Sequence, residues 1–277
     1  MTILVGVDGS PSSLHAVRWA ATEAVRRRVP VRLLSVCPAD AQVEQGHQVL
    51  RAAESLAREA APGAEVRQEL RVGLAAALLI EESAAAGLVV LGSRGLGGFA
   101  GMLVGSVSSG VAAHGRCPVV VVRGRTLEDP PPAGGPIVVG VDGSAVSDAA
   151  VEFAFDEARL RGVPLVAVHT WTDMSAGETW SVLPLDIDYE AVAKDEERLL
   201  AERMTSWRQK YPDVEVSAQV VRDRPVRGLL AAAEQAQLIV VGSRGRTALT
   251  GIGLGSTSQA LLHHSTCPVA VARSISS

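Results

Sequence analysis

The chain has 277 residues, 47% of them hydrophobic and 20% charged, with a formal net charge of −4. That length holds two ordinary domains of roughly 100–150 residues, the apolar fraction excludes global disorder, and the weakly acidic balance gives no electrostatic footing for nucleic acid. Three cysteines, Cys37, Cys117 and Cys267, lack C-x-x-C spacing, which argues against a disulfide framework or a structural zinc site.

The first element is the strand "TILVGV", which reads as a strand and not as a signal peptide because no basic segment precedes it. A helix over 11–28 follows, with Ser10 as N-cap and Pro11 at its first position. Leu14, Val17, Ala21 and Val25 recur there at helical spacing. The pattern then predicts a strand at 31–36, a helix near 41–60, a strand at 64–71, a helix near 74–86, a strand at 88–91, a glycine-rich segment, a helix near 105–114 and a strand at 118–122. Four of these strands are short Val, Leu and Ile runs with little polar alternation, the mark of parallel strands buried on both faces. The exception, "AEVRQELR" at 64–71, alternates and reads as a half-exposed edge strand. No apolar run approaches the ~18–20 residues that span a bilayer, so the expectation is a cytoplasmic protein without a membrane partner.

The chain then says everything again. "ILVGVDGS" at 3–10 returns as "IVVGVDGS" at 137–144, and "VPVRLLSV" at 29–36 as "VPLVAVHT" at 163–170, both 134 positions later. "VVLGSRG" at 89–95 returns as "IVVGSRG" at 239–245, and "CPVVVVR" at 117–123 as "CPVAVAR" at 267–273, now 150 positions later. The extra residues fall mostly in "TWTDMSAGETWSVLPLDID", 170–188. A tandem duplication follows, with domains at 1–123 and 136–277 and a proline-stiffened linker at 124–135, whose "PPP" forbids helix or strand. Alternating strands and helices with such strands imply a doubly wound parallel sheet in each copy, helices on both faces.

In such sheets ligands sit outside the carboxyl ends of the strands. Three features fall there in each copy: "GVDGS" after strand one, the end of strand two, and the glycine segment after strand four. Both glycine segments keep the spacing G-x2-G-x9-G-S, at Gly92, Gly95, Gly105 and Ser106 and at Gly242, Gly245, Gly255 and Ser256, while the filling changes from "LGGFAGMLV" to "RTALTGIGL". Glycines allow positive φ and close backbone approach to an anion. The helix after Gly105 or Gly255 offers unpaired N–H groups and a positive dipole end. Ser106, Ser108, Ser256, Thr257 and Ser258 add hydroxyl donors. Asp8 and Asp142 are candidates for holding Mg²⁺ or Mn²⁺ or a ribose hydroxyl, with helix capping as the structural alternative. Arg94 and Arg244 are the natural cations of the segment, or solvated surface charges. A Walker lysine is missing, and the Rossmann spacing follows the wrong strand.

These motifs together, "VGVDGS", G-x2-G-x9-G-[ST] and a closing "CPVVVV", resemble the universal stress protein family in its ATP-binding branch, once per copy and over essentially the whole chain. The resemblance is to the tandem form found in mycobacteria and other actinobacteria. It implies two flavodoxin-like (adenine nucleotide alpha hydrolase-like) domains, each with a five-stranded sheet of order 3-2-1-4-5, and one ATP per domain. It assigns Gly6, Val7 and Asp8 to ribose and phosphate, Val36 to adenine, and Gly92, Ser93, Arg94, Gly95, Leu96, Gly97, Gly98, Gly105, Ser106 and Val107 to the triphosphate. In the second copy the roles fall to Gly140, Val141 and Asp142, to Thr170, to Gly242, Ser243, Arg244 and Gly245, and to Gly255, Ser256, Thr257 and Ser258. It further implies a stress or dormancy regulator that hydrolyses ATP slowly or not at all, a homodimer through the last strand, and a regulatory protein partner. A slow ATPase and a ligand-free interaction protein are the alternatives. Cys117 and Cys267 read as packing residues, and His114, His263 and His264 as cations at helix C-termini.

Overall fold

The computed structural model of the chain describes residues 1–95, 104–124, 129–172, 188–245 and 253–273. The first half contains β1 (Ile3–Gly6), α1 (Pro11–Arg27), β2 (Val31–Cys37), α2 (Val43–Ala60), β3 (Val66–Val72), α3 (Ala75–Glu82), β4 (Leu88–Gly92), α4 (Ser106–His114) and β5 (Val119–Val122). The second contains β6 (Ile137–Gly140), α5 (Ala145–Arg161), β7 (Leu165–Trp171), α6 (Tyr189–Lys210), β8 (Val216–Arg222), α7 (Pro225–Ala232), β9 (Leu238–Gly242), α8 (Ser256–His264) and β10 (Val269–Ala272).

Local chemistry sets the helix ends. Ser10 and Ser144 stand in extended conformation before α1 and α5 and accept the Ser13 and Ser147 N–H groups, satisfying donors that a helix start leaves without an intrahelical acceptor. Both helices end on a left-handed residue, Arg28 (φ 56°) in one and Gly162 (φ 64°) in the other.

The two expected five-stranded sheets are one sheet of ten, ordered β3-β2-β1-β4-β5-β10-β9-β6-β7-β8. Within each half the strands pair in parallel, and the halves join where β5 meets β10 antiparallel, Val119 opposite Val271 and Val121 opposite Val269. The last strands thereby use their pairing edge on each other within the chain, and the free edges are β3 and β8, both half-exposed. α1, α2, α5 and α6 cover one face and α3, α4, α7 and α8 the other, and each face has an apolar core that runs through both halves. Full burial of one Val or Leu side chain contributes roughly 1.5–3 kcal/mol, and β4, β5, β9 and β10 are buried throughout.

The seam also holds charge. Glu23 and Glu157, equivalent positions of the repeat, are fully buried between α1 and α5. Arg27 Nε donates to Glu23 at 2.6 Å and its Nη2 to Glu157; Arg161 Nε donates to Glu157 and its Nη2 to Glu23, each at 2.7 Å. Each guanidinium thus bridges both carboxylates. Burial and the neighbouring Glu157 push the Glu23 carboxyl up, while Arg161 and Arg27 outweigh burial at Glu157 and hold it down. Arg161 also donates to Gln237 Oε1 at 3.0 Å, and Gln237 Nε2 to the carbonyl of Gly135 at 2.6 Å, which ties the connecting segment to the seam.

Candidate functional site

The carboxyl ends of β1, β2 and β4 and the start of α4 enclose a cavity of ≈ 310 Å³ on the α3/α4 face of the first half. That size falls within the usual range of small-molecule pockets. Gly6, Val7, Asp8, Val36, Gly92, Arg94, Gly95, Gly105, Ser106, Val107 and Ser108 all line it, so segments far apart in sequence meet there. Leu96, Gly97 and Gly98 lie outside the described residues. Ser93 does not line the cavity: it is buried, and its hydroxyl stands 3.3 Å from that of Ser12 in α1. The walls also include Ser13, Leu34, Ala75, Leu79 and Leu91. Of these, Leu79 on α3 is a residue that strand-end reasoning misses.

The loops are locked by short polar contacts. Ser10 N–H and Oγ–H donate to Asp8 Oδ1 at 3.0 and 2.6 Å, and the same hydroxyl lies 3.1 Å from the carbonyl of Arg94. Arg94 N–H donates to Ser12 Oγ at 3.2 Å, and Gly105 N–H to the Ser93 carbonyl at 2.7 Å. Asp8 therefore both organises the turn before α1 and turns its other oxygen toward the glycine segment, where a Cβ on Gly95 would lie 2.5 Å from Oδ2. A Cβ on Gly92 would lie 2.5 Å from the carbonyl carbon of Ser12. These two glycines permit close approach; positive φ is not their reason, since neither is among the positive-φ residues.

At the start of α4 the hydroxyl expectation splits. Ser108 Oγ–H is committed to the carbonyl of Gly92 at 2.6 Å, and Ser258 Oγ–H to that of Gly242 at 2.6 Å. These serines stitch helix to strand, leaving Ser106 as the exposed hydroxyl at the mouth. The N-cap of α4 is Gly105, without a capping side chain. The helix opens onto the cavity with N–H groups that have no intrahelical acceptor and with its positive dipole end.

The second half repeats the frame. Ser144 N–H and Oγ–H donate to Asp142 Oδ1 at 2.9 and 2.7 Å, a Cβ on Gly245 would lie 2.8 Å from Asp142 Oδ2, and Gly255 N–H donates to the Ser243 carbonyl at 2.8 Å. Ser243, like Ser93, is buried. Gly140 packs against Leu229, Gly242 against Val146, and Ser256 and Thr257 occupy the first turn of α8. The details differ. The Val141 carbonyl faces His169 Nδ1 at 2.6 Å, and His169 Nε2 stands 3.2 Å from Glu196. Arg203 lies against Gly143, where the first half sets Val49 against Gly9. Thr170 packs its methyl toward Gly228 of α7, whose Cβ position is 2.8 Å away.

Behind the two glycine segments the halves exchange arginines. Arg123, just after β5, donates Nη1 to the carbonyls of Leu262 and His263 at 2.8 Å each, capping the C-terminus of α8. Arg273, just after β10, donates Nη2 to the carbonyl of Ala112 in α4. Burial lowers both guanidinium pKa values, and Arg94 adds to the effect at Arg123 as Arg244 does at Arg273. The His263 imidazole is held below its usual range by burial, His264 and Arg123, and Arg123 from the other half places its cation at the end of α8. Burial pushes the Cys117 thiol up to about 12 and raises Cys267 as well, consistent with packing roles. Among the described residues no group of three or more His, Cys, Asp or Glu is placed to hold a metal, and no helix is long and apolar enough to cross a membrane.

The sequence model of the universal stress protein family matches residues 1–123 and 135–273. Two universal stress proteins of Mycobacterium tuberculosis are 43% identical over 290 residues and 40% identical over 300 residues, each spanning 98% of this chain and 96% and 94% of the relative. The crystal structure of a universal stress protein from Archaeoglobus fulgidus DSM 4304 shares the fold with a TM-score of 0.69 at 23% identity, covering 98% of this chain and 96% of that one. The chain belongs to the universal stress protein family, with its two copies of the family's domain in tandem.

Proposed function

We propose that the protein binds ATP at the carboxyl edge of its sheet and acts as a nucleotide-dependent regulator of stress response or growth arrest, and not as an enzyme of ordinary turnover. The observation that carries this reading is the first-half cavity, apolar toward Val36 and Leu79 and lined at its other end by glycine backbone and the uncapped N-terminus of α4. An adenine ring suits the first end and a polyphosphate the second. Asp8 brings one carboxylate to the glycine segment. That suits Mg²⁺ or Mn²⁺ arriving with the nucleotide, since Mg²⁺ is commonly held by one or two carboxylates together with substrate phosphates. The second half supplies the homologous frame for a second nucleotide. Three buried free cysteines suit a reducing, cytoplasmic compartment.

The intrachain pairing of β5 with β10 takes the place of the last-strand homodimer that the resemblance implies, and a protein partner would read the nucleotide state from the crevice mouth. Acid extraction of the purified protein followed by chromatography, with calorimetric titration of MgATP, tests the binding. A protein that neither releases nor takes up nucleotide at millimolar MgATP sinks the reading. Turnover in the usual enzyme range of roughly 1–1000 s⁻¹ would replace regulator by enzyme.

A further inference from the structure

We propose that the two halves are not equivalent sites: the polyphosphate site lies in the first half, Arg94 is the side chain that contacts the phosphates, and its counterpart Arg244 is held out of that role by the carbonyl of Gly253. This rests on the nucleotide-binding reading and narrows it.

The two arginines occupy the same place in the repeat, two residues past the end of β4 and of β9, yet meet different surroundings. Arg94 is half-buried and lines the cavity, and its Nε is buried with no hydrogen-bond partner among the described residues. A buried donor without an acceptor is costly, and a charged one more so. An anionic oxygen in the cavity removes that cost once the side chain turns Nε, now shielded from the cavity, toward it. Arg123 stands close enough to feel the Arg94 charge, but Arg273 stands to Arg244 in the same way, so the second arginine is common to both halves and the difference lies in Arg94 and Arg244 themselves.

Arg244 is exposed, and its Nε donates to the Gly253 carbonyl at 3.4 Å. The surroundings change with it. Val36 and Val107, two apolar walls of the first cavity, correspond to Thr170 and Thr257. Backbone also closes in: a Cβ on Gly255 would lie 3.3 Å from Arg244 Cα, where one on Gly105 would lie 3.7 Å from Arg94 Cα.

Titration calorimetry of the full chain with MgATP, adenosine and inorganic tripolyphosphate, on wild type, Arg94→Gln, Arg94→Lys and Arg244→Gln, tests this. The wild type should bind one MgATP tightly per chain. Arg94→Gln should weaken MgATP and tripolyphosphate by roughly tenfold or more, as expected for loss of a charge-assisted bond, while leaving adenosine within about twofold. Arg94→Lys should fall between, since a point charge lacks the planar fork. Arg244→Gln should cost MgATP less than Arg94→Gln does. Two equal MgATP sites per chain, or equal losses from the two glutamine variants, overturn the proposal and leave the nucleotide reading standing. Tripolyphosphate bound by the wild type and lost in Arg94→Gln, with no nucleotide bound, leaves Arg94 assigned and sinks the nucleotide reading. Binding of none of the three overturns both.

Discussion

The seam and the crevices are built from the same duplicated sequence and use it differently. At the seam the copies answer each other: Glu23 and Arg27 meet Glu157 and Arg161, and Arg123 caps α8 as Arg273 caps α4. At the crevices the copies agree in frame and differ in lining, with Val36, Val107 and a half-buried Arg94 in one and Thr170, Thr257 and an exposed Arg244 in the other. The difference has a physical cause. A seam residue has its own counterpart as neighbour, so the two positions constrain each other through direct charge and packing. A crevice residue faces a cavity, where a change on one side strains nothing on the other.

The largest expected effect breaks the seam. Glu157→Gln leaves the buried Arg161 and the half-buried Arg27 with one carboxylate between them, and removal of one partner from a buried ion network costs about 3–5 kcal/mol. Denaturant unfolding followed by tryptophan fluorescence measures it. Glu23→Gln should cost less, because burial and Glu157 already push the Glu23 carboxyl toward its protonated form. The pH dependence follows from the signs. Glu157 is held below its ordinary 4.5, so its contribution is present above that value and lost as pH falls through its folded pKa. Glu23, held above 4.5, runs the other way and loses its contribution as pH rises through its folded pKa. In Glu157→Gln the acid limb of the stability curve should therefore flatten. Equal losses from the two variants would mean that the quartet is symmetric in energy as well as in geometry.

A smaller effect separates the halves at the crevice. Gly92→Ala drives a Cβ to 2.5 Å from the Ser12 backbone, where a Cβ at Gly242 would meet Val146 Cγ1 at 2.9 Å and the carbonyls of Arg244 and Val146 at 3.1 Å. Overpacking of this kind costs roughly 1–3 kcal/mol, and Gly92→Ala should sit higher in that range than Gly242→Ala. Thermal unfolding of the two variants ranks them; the reverse order would show that the first glycine segment yields more easily than the second.

Much of this fold is legible in the sequence because period and punctuation carry it. The valine runs mark buried parallel strands, Ser10 and Pro11 mark a helix start, and "AEVRQELR" betrays its edge position by alternation. The repeat locates the crevices, because spacing preserved between two copies of changed filling must serve geometry. The joining of two sheets into one is not legible: "CPVVVV" reads equally as a buried strand and as a pairing edge until its partner strand is in place. The Glu–Arg quartet hides for another reason. Glu23 and Arg27 are four residues apart on a helix and look like a solvated surface pair, and only the approach of α5 buries them. Ser108 suits a ligand in type and position and lines the cavity, but that its hydroxyl donates to the Gly92 carbonyl, sixteen residues away in sequence, is not legible before the fold.

The smallest effect on the folded chain is the most informative about the ligand. Gly105 has φ −72° and ψ 153°, values open to any residue, and a Cβ there would touch nothing among the described residues nearer than 3.7 Å. Alanine is a poorer N-cap than glycine by about 0.5–1 kcal/mol, while the stiffer unfolded chain returns a similar amount, so Gly105→Ala should alter stability by no more than about 0.5 kcal/mol. The added methyl nevertheless stands beside Arg94 Cα and the Gly95 N–H, on the cavity wall where the first N–H groups of α4 face inward. Among the described residues, glycine at this position is required neither by backbone angle nor by packing. Gly105→Ala should unfold like the wild type and bind MgATP several-fold more weakly, by calorimetry on the same preparation. Full affinity in a stably folded Gly105→Ala protein would move the phosphates away from the start of α4, and with them the difference between the two crevices.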